Sequence, residues 1–255
     1  MAAASPGQSP AAGSSKPASR GRSGTTSRKQ RSLFRRRRLG AHTFQSADEF
    51  DTIAVLGTGS FGKVFEVAHK QTQERFALKV LDWAEMQRLD MIDQLEAEKH
   101  IMRKLGQHPH IVGLLATWTS ATDLYMLLQL VPGTDLFEIV RAHKVVPPPR
   151  AARYIAQIAR GLDYVHHKHI IYRDLKLENL LLNEATDSVL LTDFGLAKDV
   201  HSRNGKTKTI CGTIQYMSTE VLAGMPYNYR VDWWCLGVVL FVLMVGKYPY
   251  GQVRF

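Results

Sequence analysis

The sequence predicts an α+β protein of two lobes, with strands gathered in the first lobe and helices in the second. Three observations predict it. Partly alternating apolar runs crowd the stretch from Phe50 to Val131, the pattern of half-buried strands. One helical period, over 84–105, interrupts them. Two longer helical segments, 148–167 and 231–245, then fill the second half. At 255 residues the chain is long enough for one large domain or two small lobes with a real core, and no internal repeat divides it.

Taken in order, residues 1–47 are rich in Ala, Ser, Gly, Pro and Arg. They carry too little apolar surface to offset the entropy of ordering, so a disordered basic tail is expected. A first lobe over 48–130 begins with Phe50–Leu56 and Lys63–Ala68, two runs flanking a glycine cluster as in a hairpin. Arg75–Leu81 is a third strand. In the helix at 84–105, Met91, Leu95, Met102 and Leu105 share one face, and the acid Glu98 falls on that same face. Strands follow around 111–118 and 124–131. The second lobe, 131–255, has a helix with Ala151, Ile155, Ile158, Leu162 and Val165 on one stripe, short strand-like pieces, a polar loop at 199–209 and an apolar helix near 231–245.

Composition narrows the setting. The formal charge is +10, and the ten Lys and Arg of residues 1–46, which include Arg35–Arg38, account for all of it. The rest holds 23 basic and 23 acidic residues. Nucleic-acid binding is therefore not expected of the domain, only through the tail. The Arg35–Arg38 run leaves open a nuclear-import signal, an anionic-lipid patch or a solvated tail, and Ser32 follows a basic stretch that a basic-directed kinase would read. Two cysteines, Cys211 and Cys235, make neither a disulfide framework nor a cysteine zinc site. No secretory or myristoylation signal fits the N-terminus, and Trp233–Val245 is short for a membrane span. An intracellular location, cytoplasmic or nuclear, is expected.

Four constellations carry chemistry. Gly57-Thr58-Gly59-Ser60-Phe61-Gly62-Lys63-Val64 fits G-x-G-x-x-G-x-V. Glycines let a backbone come close to phosphates and offer N–H groups to them. A dinucleotide-binding loop would run into a helix, whereas here a strand follows; a plain glycine-rich turn stays open on this motif alone. Ala77-Leu78-Lys79 puts a lysine in an apolar strand. An ion pair from Lys79 to Glu98 would explain both buried charges and aim the lysine at the α- and β-phosphates. In Tyr172-Arg173-Asp174-Leu175-Lys176-Leu177-Glu178-Asn179 the spacing from Asp174 to Asn179 is that of H-R-D-x-x-x-x-N. Asp174 would orient the hydroxyl proton, Lys176 would neutralise the moving phosphoryl group and Asn179 would bind a metal ion. Asp193-Phe194-Gly195 follows an apolar strand, and Asp193 would hold Mg²⁺. His166, His167 and His169 are better placed for the end of a helix than for a metal.

With these four in this order, residues 50–255 resemble the protein kinase family. Lys176 and Thr213 resemble its Ser/Thr class. Tyr172, Lys176-Leu-Glu-Asn179 and Thr209-Ile-Cys-Gly-Thr213 resemble the AGC group, and the segments around Ser60–Val64 and Gly212–Met217 are similar to ribosomal S6 kinases. The resemblance implies a bilobal kinase fold, ATP and Mg²⁺ as cofactors, and protein Ser/Thr hydroxyls as substrates. It implies that Leu56, Val64 and Ala77 sandwich adenine, with Leu181 also at the nucleotide, that Gln129 to Val131 form the hinge beside Leu128, and that Asp135 binds ribose. Thr209 aligns with the activation-segment phosphosite of an upstream kinase, with Arg173 and Lys198 as its cations. Tyr172, Phe194, Met102 and Leu114 would stack as the regulatory spine, and Asp232 would anchor the catalytic loop. Basic-directed substrate choice would run through Asp135 and Glu178, with Val242 where an acid often stands.

Two departures qualify the expectation. Ser218-Thr219-Glu220 replaces Ala-Pro-Glu, and the chain stops at Phe255, just past the apolar helix. The resemblance then implies a second lobe without its last helices, with apolar surface bare at Trp233, Leu236, Val239, Phe241 or Leu243 and a chaperone as a partner. The alternative function is a catalytically inactive form that binds nucleotide or partners.

Overall fold

The computed structural model describes residues 44–59, 62–202 and 204–250. The readings placed on residues 1–43, including Ser32 and Arg35–Arg38, and on Ser60 and Phe61 lie outside the described residues.

Five antiparallel strands form the first sheet: β1 (Phe50–Gly59), β2 (Gly62–His69), β3 (Arg75–Asp82), β4 (Leu114–Thr119) and β5 (Asp123–Gln129), in the order β1-β2-β3-β5-β4. Its buried side gathers Phe50, Val67, Phe76, Leu78 and Leu127. Phe44 joins them, its ring 5.4 Å from Phe50 and 5.6 Å from Phe76. Ser46 and Glu49 close a capping box just after it. Residues 44–47 therefore belong to the lobe and not to the tail. One large aromatic in a polar stretch left no periodic signal.

The helix expected over 84–105 is two helices, α1 (Trp83–Arg88) and α2 (Ile92–Leu105). Asp82 caps the first through the Glu85 amide. Asp90, at φ +54°, turns the chain, and the Met91 amide donates back to the Met86 carbonyl. The break lets Met86 and Leu95 both be buried in the same core.

The second lobe starts with β6 (Gly133–Asp135) and α3 (Leu136–His143), a short helix the sequence reading passed over. α4 (Pro148–His167) matches its expected range, with proline in its first turn. β7 (Ile170–Ile171), β8 (Leu180–Asn183), β9 (Ser188–Leu191) and β10 (Lys198–Asp199) supply two small sheets, β6-β8-β9 and β10-β7. α5 (Thr219–Leu222) and α6 (Arg230–Val245) complete the order.

α6 is apolar all round, yet it is not evenly bare. Leu236, Val239 and Leu243, expected among the exposed residues, are buried in the main core, where Leu162 and Val165 of α4 also lie. Trp233, Leu240, Phe241, Met244 and Val245 are each more than a third exposed along the other side. Among the described residues no helix is long and apolar enough to cross a membrane.

Candidate active site

The glycines of the first hairpin do two different jobs. A Cβ on Gly62 would lie 2.0 Å from the Val80 carbonyl, so only glycine lets β2 lie this close to β3. A Cβ on Gly57 would meet nothing within 4 Å. The backbone there is open to a ligand, as a phosphate-cradling strand needs.

β3 presents Lys79 toward α2. Its Nζ lies 2.9 Å from Glu98 Oε1 and 3.1 Å from Oε2. Glu98 is buried, and the acid on the apolar stripe is thereby explained. Burial alone would lower the Lys79 pKa, but attraction to Glu98 and Asp193 and the Glu98 hydrogen bond outweigh it, leaving the pKa above the ordinary lysine value. The group stays cationic and suits phosphate oxygens.

β7 delivers the segment Tyr172–Asn179, and Asp232 on α6 holds its start. Its fully buried carboxylate accepts from the Tyr172 amide at 2.9 Å, from the Arg173 amide at 2.9 Å and pairs with His166 Nε2 at 2.7 Å. His166 thus has a role that its place at the end of α4 did not suggest. Among the described residues no three His, Cys, Asp or Glu gather as a metal cage.

Asp174, itself buried, is gripped from three sides. The Asn179 side-chain amide donates to Oδ2 at 3.0 Å and Lys176 Nζ lies 2.9 Å from the same oxygen. The Thr213 hydroxyl donates to Oδ1 at 3.0 Å while accepting from Lys176 at 3.3 Å. A carboxylate fixed this way can take a defined hydrogen bond from an incoming hydroxyl. Asn179 spends its N–H groups on Asp174, leaving the amide oxygen as what it can offer a cation.

Asp193 is exposed at the cleft, its Oδ1 accepting from the Gly195 amide at 3.1 Å. It adopts φ +58°, and Arg173 (+70°) and His169 (+61°) also sit in the left-handed region. Phe194 and Tyr172 meet edge to face with centroids 5.1 Å apart. Tyr172 donates its hydroxyl to the Thr192 carbonyl. Met102 lies in the same core, with Leu114 packed against it.

A cleft of about 430 Å³ brings together Gly59, Gly62, Val64, Lys79, Glu98, Asp174 and Asp193. It continues beneath Met86, Met91 and Leu95. Leu56, Gly57, Thr58, Ala77, Gln129, Val131, Asp135 and Leu181 do not line it. Val131 and Leu181 share another apolar cluster with Val112 and Leu190. Ala77 is buried opposite Leu128, and Leu56 is half exposed on β1. Gln129, at the end of β5, donates its amide to the Gly113 carbonyl. Asp135 caps α3 by accepting from the Glu138 amide at 2.9 Å.

Thr209 is exposed, and its flanks are fastened. Thr207 and Tyr227 exchange two backbone hydrogen bonds of 2.9 Å, and the Tyr227 hydroxyl donates to the Thr209 carbonyl at 2.5 Å. The Arg173 guanidinium donates from Nε to the Leu196 carbonyl at 2.5 Å and keeps a buried Nη1 without a partner. Lys198 is exposed on β10. The Tyr227 fastening and the bond from the Gln94 side chain to the Gly195 carbonyl, at 2.9 Å, had no sequence signal.

A model of the protein kinase domain matches residues 50–254. The chain is 40% identical over 202 residues to the serine/threonine-protein kinase Sgk1 of Gallus gallus, a match covering 79% of this chain and 46% of that protein. It is 39% identical over 202 residues to Sgk1 of Danio rerio (79% and 46%). To the serine/threonine-protein kinase sgk-1 of Caenorhabditis elegans it is 38% identical over 205 residues (80% and 44%). The chain spans about half the length of the curated relatives it matches.

Proposed function

Since this chain belongs to the protein kinase family, we propose that it is a serine/threonine kinase of AGC type that transfers the γ-phosphate of ATP to protein hydroxyls. The single observation that carries the reading is the convergence of Lys79, Glu98, Asp174 and Asp193 on one cleft. In this reading Lys79, held by Glu98, binds the α- and β-phosphates, and the open backbone from Gly57 to Gly59 cradles them. Asp174 accepts the hydrogen bond of the attacking hydroxyl, while Lys176 faces the transferred group. Leu56, Val64, Ala77, Val131 and Leu181 would enclose adenine, with Gln129 at the hinge and Asp135 at the ribose.

The residues fit magnesium. Asp193 and the Asn179 amide oxygen are hard donors, and Mg²⁺ commonly takes one or two protein oxygens beside phosphates and water. When bound, the ion neutralises charge on the phosphates. The unpartnered Nη1 of Arg173 and the exposed Thr209 support phosphorylation of Thr209 by an upstream kinase. Cys211 and Cys235 are both free thiols, which suits a reducing, intracellular setting.

The test is transfer of labelled γ-phosphate to a Ser/Thr peptide library by the whole chain. Wild type is expected to transfer it, and Lys79→Met to lose transfer by about 10²-fold or more. Binding of ATP·Mg without any transfer by wild type would overturn the enzyme reading in favour of a nucleotide-binding module.

A further inference from the structure

α2 carries Glu98, so whatever fixes α2 fixes the partner of Lys79. Two side chains flank Glu98 along the helix and tie it to the segment that begins at Asp193. Gln94, one turn before, donates to the Gly195 carbonyl at 2.9 Å. Lys104, less than two turns after, places Nζ 2.5 Å from Asp199 Oδ2. Asp199 is not on a free loop. Its backbone pairs with Ile170 in the β10-β7 ladder, two residues ahead of Tyr172. The Lys104–Asp199 contact therefore joins the helix bearing Glu98 to the strand pair that leads into the catalytic loop.

We propose that the Lys104–Asp199 ion pair is a positioning latch, coupling the seating of residues 198–199 on the second lobe to the α2 placement that forms the Lys79–Glu98 pair. The inference rests on the kinase reading for its consequence in catalysis, and on geometry alone for its consequence in α2. The pair differs from an ordinary surface bridge, which contributes little. The Asp199 side chain is only 11% exposed and that of Lys104 31%. The His201 amide donates to Asp199 Oδ1 at 2.9 Å, fixing the carboxylate further. The exposed rings of His100 and His201 lie 4.0 and 3.4 Å from the same carboxylate and add charge only when protonated. Burial pushes the Asp199 pKa up, but the bonds from Lys104 and the His201 amide outweigh it and hold the carboxyl below its usual range. By contrast, Arg88 and Glu85 pair within α1 alone and link no two elements.

The experiment measures backbone hydrogen exchange over 92–105 in the whole chain, together with the KM for ATP. Asp199→Asn and Lys104→Met are each expected to speed α2 exchange about fivefold and raise the KM for ATP by a similar factor. The swapped double variant, Lys104→Asp with Asp199→Lys, is expected to return both toward wild type. Glu85→Gln is expected to change neither. Unchanged α2 exchange in both single variants overturns the latch. So does a swap that folds with the wild-type melting temperature yet leaves α2 exchange fast. Should a single variant fail to fold, the swap decides between these outcomes. A wild type that transfers no phosphate sinks the kinase reading, while the exchange results still decide the latch.

Discussion

Asp174→Asn is expected to reduce phosphoryl transfer by about 10³-fold while ATP·Mg binding stays within a few-fold of wild type. The wild-type carboxylate offers only acceptors. It uses them on Asn179, Thr213 and Lys176, three donors from three directions. An amide in its place turns an N–H toward one of those donors and removes the acceptor that an incoming hydroxyl needs. Lys79, Glu98 and Asp193 are not disturbed, because none of them bonds to Asp174. Transfer assays read the loss, and a thermal shift with ATP·Mg reads the retained binding. A variant that keeps a tenth or more of the wild-type rate would remove Asp174 from the role assigned to it.

The second large effect concerns stability. Asp232→Ala is expected to destabilise the protein by about 3–5 kcal/mol, the range for breaking a buried charged network by removing one member. The carboxylate is fully buried and satisfies the backbone N–H groups of Tyr172 and Arg173 and the His166 ring. Alanine strands all three, each at about 1–3 kcal/mol. Those terms overlap and so are not summed. For a domain of this size the melting temperature should fall by about 10 °C. Asp232→Asn, which keeps an acceptor oxygen but cannot serve three donors, should fall between. Calorimetry on the three proteins checks the order, and equal melting temperatures for wild type and Asp232→Ala would contradict it.

The site was legible where its parts are short and local. Gly57 to Val64, Ala77 to Lys79, Tyr172 to Asn179 and Asp193 to Gly195 are each runs of a few residues that stand out by type and spacing, and each sends at least one residue to the cleft. Glu98 was legible because a charge on an apolar helical stripe contradicts periodicity and so asks for a partner. What sequence did not state is how distant pieces meet. His166 and Asp232 are 66 residues apart, and Lys104 and Asp199 are 95 apart. Neither pairing leaves a pattern in its own neighbourhood. The break between α1 and α2 was hidden because apolar spacing continues across Leu89 and Met91, while the turn rests on the backbone of Asp90. α3 has little sequence signal because eight residues give a periodic pattern little room.

His169, Arg173 and Asp193 share a left-handed backbone that residues with a Cβ seldom adopt. Such conformations cost about 1 kcal/mol or more each and persist only while their surroundings hold them. On heating, the turns that hold these residues, on either side of β7 and just after β9, should relax before the helices around them do. Activity would then be lost at a temperature below the loss of helical circular dichroism, and recovered on cooling from the interval between. The working temperature range of the molecule would be set by three backbone positions and not by the melting of its core.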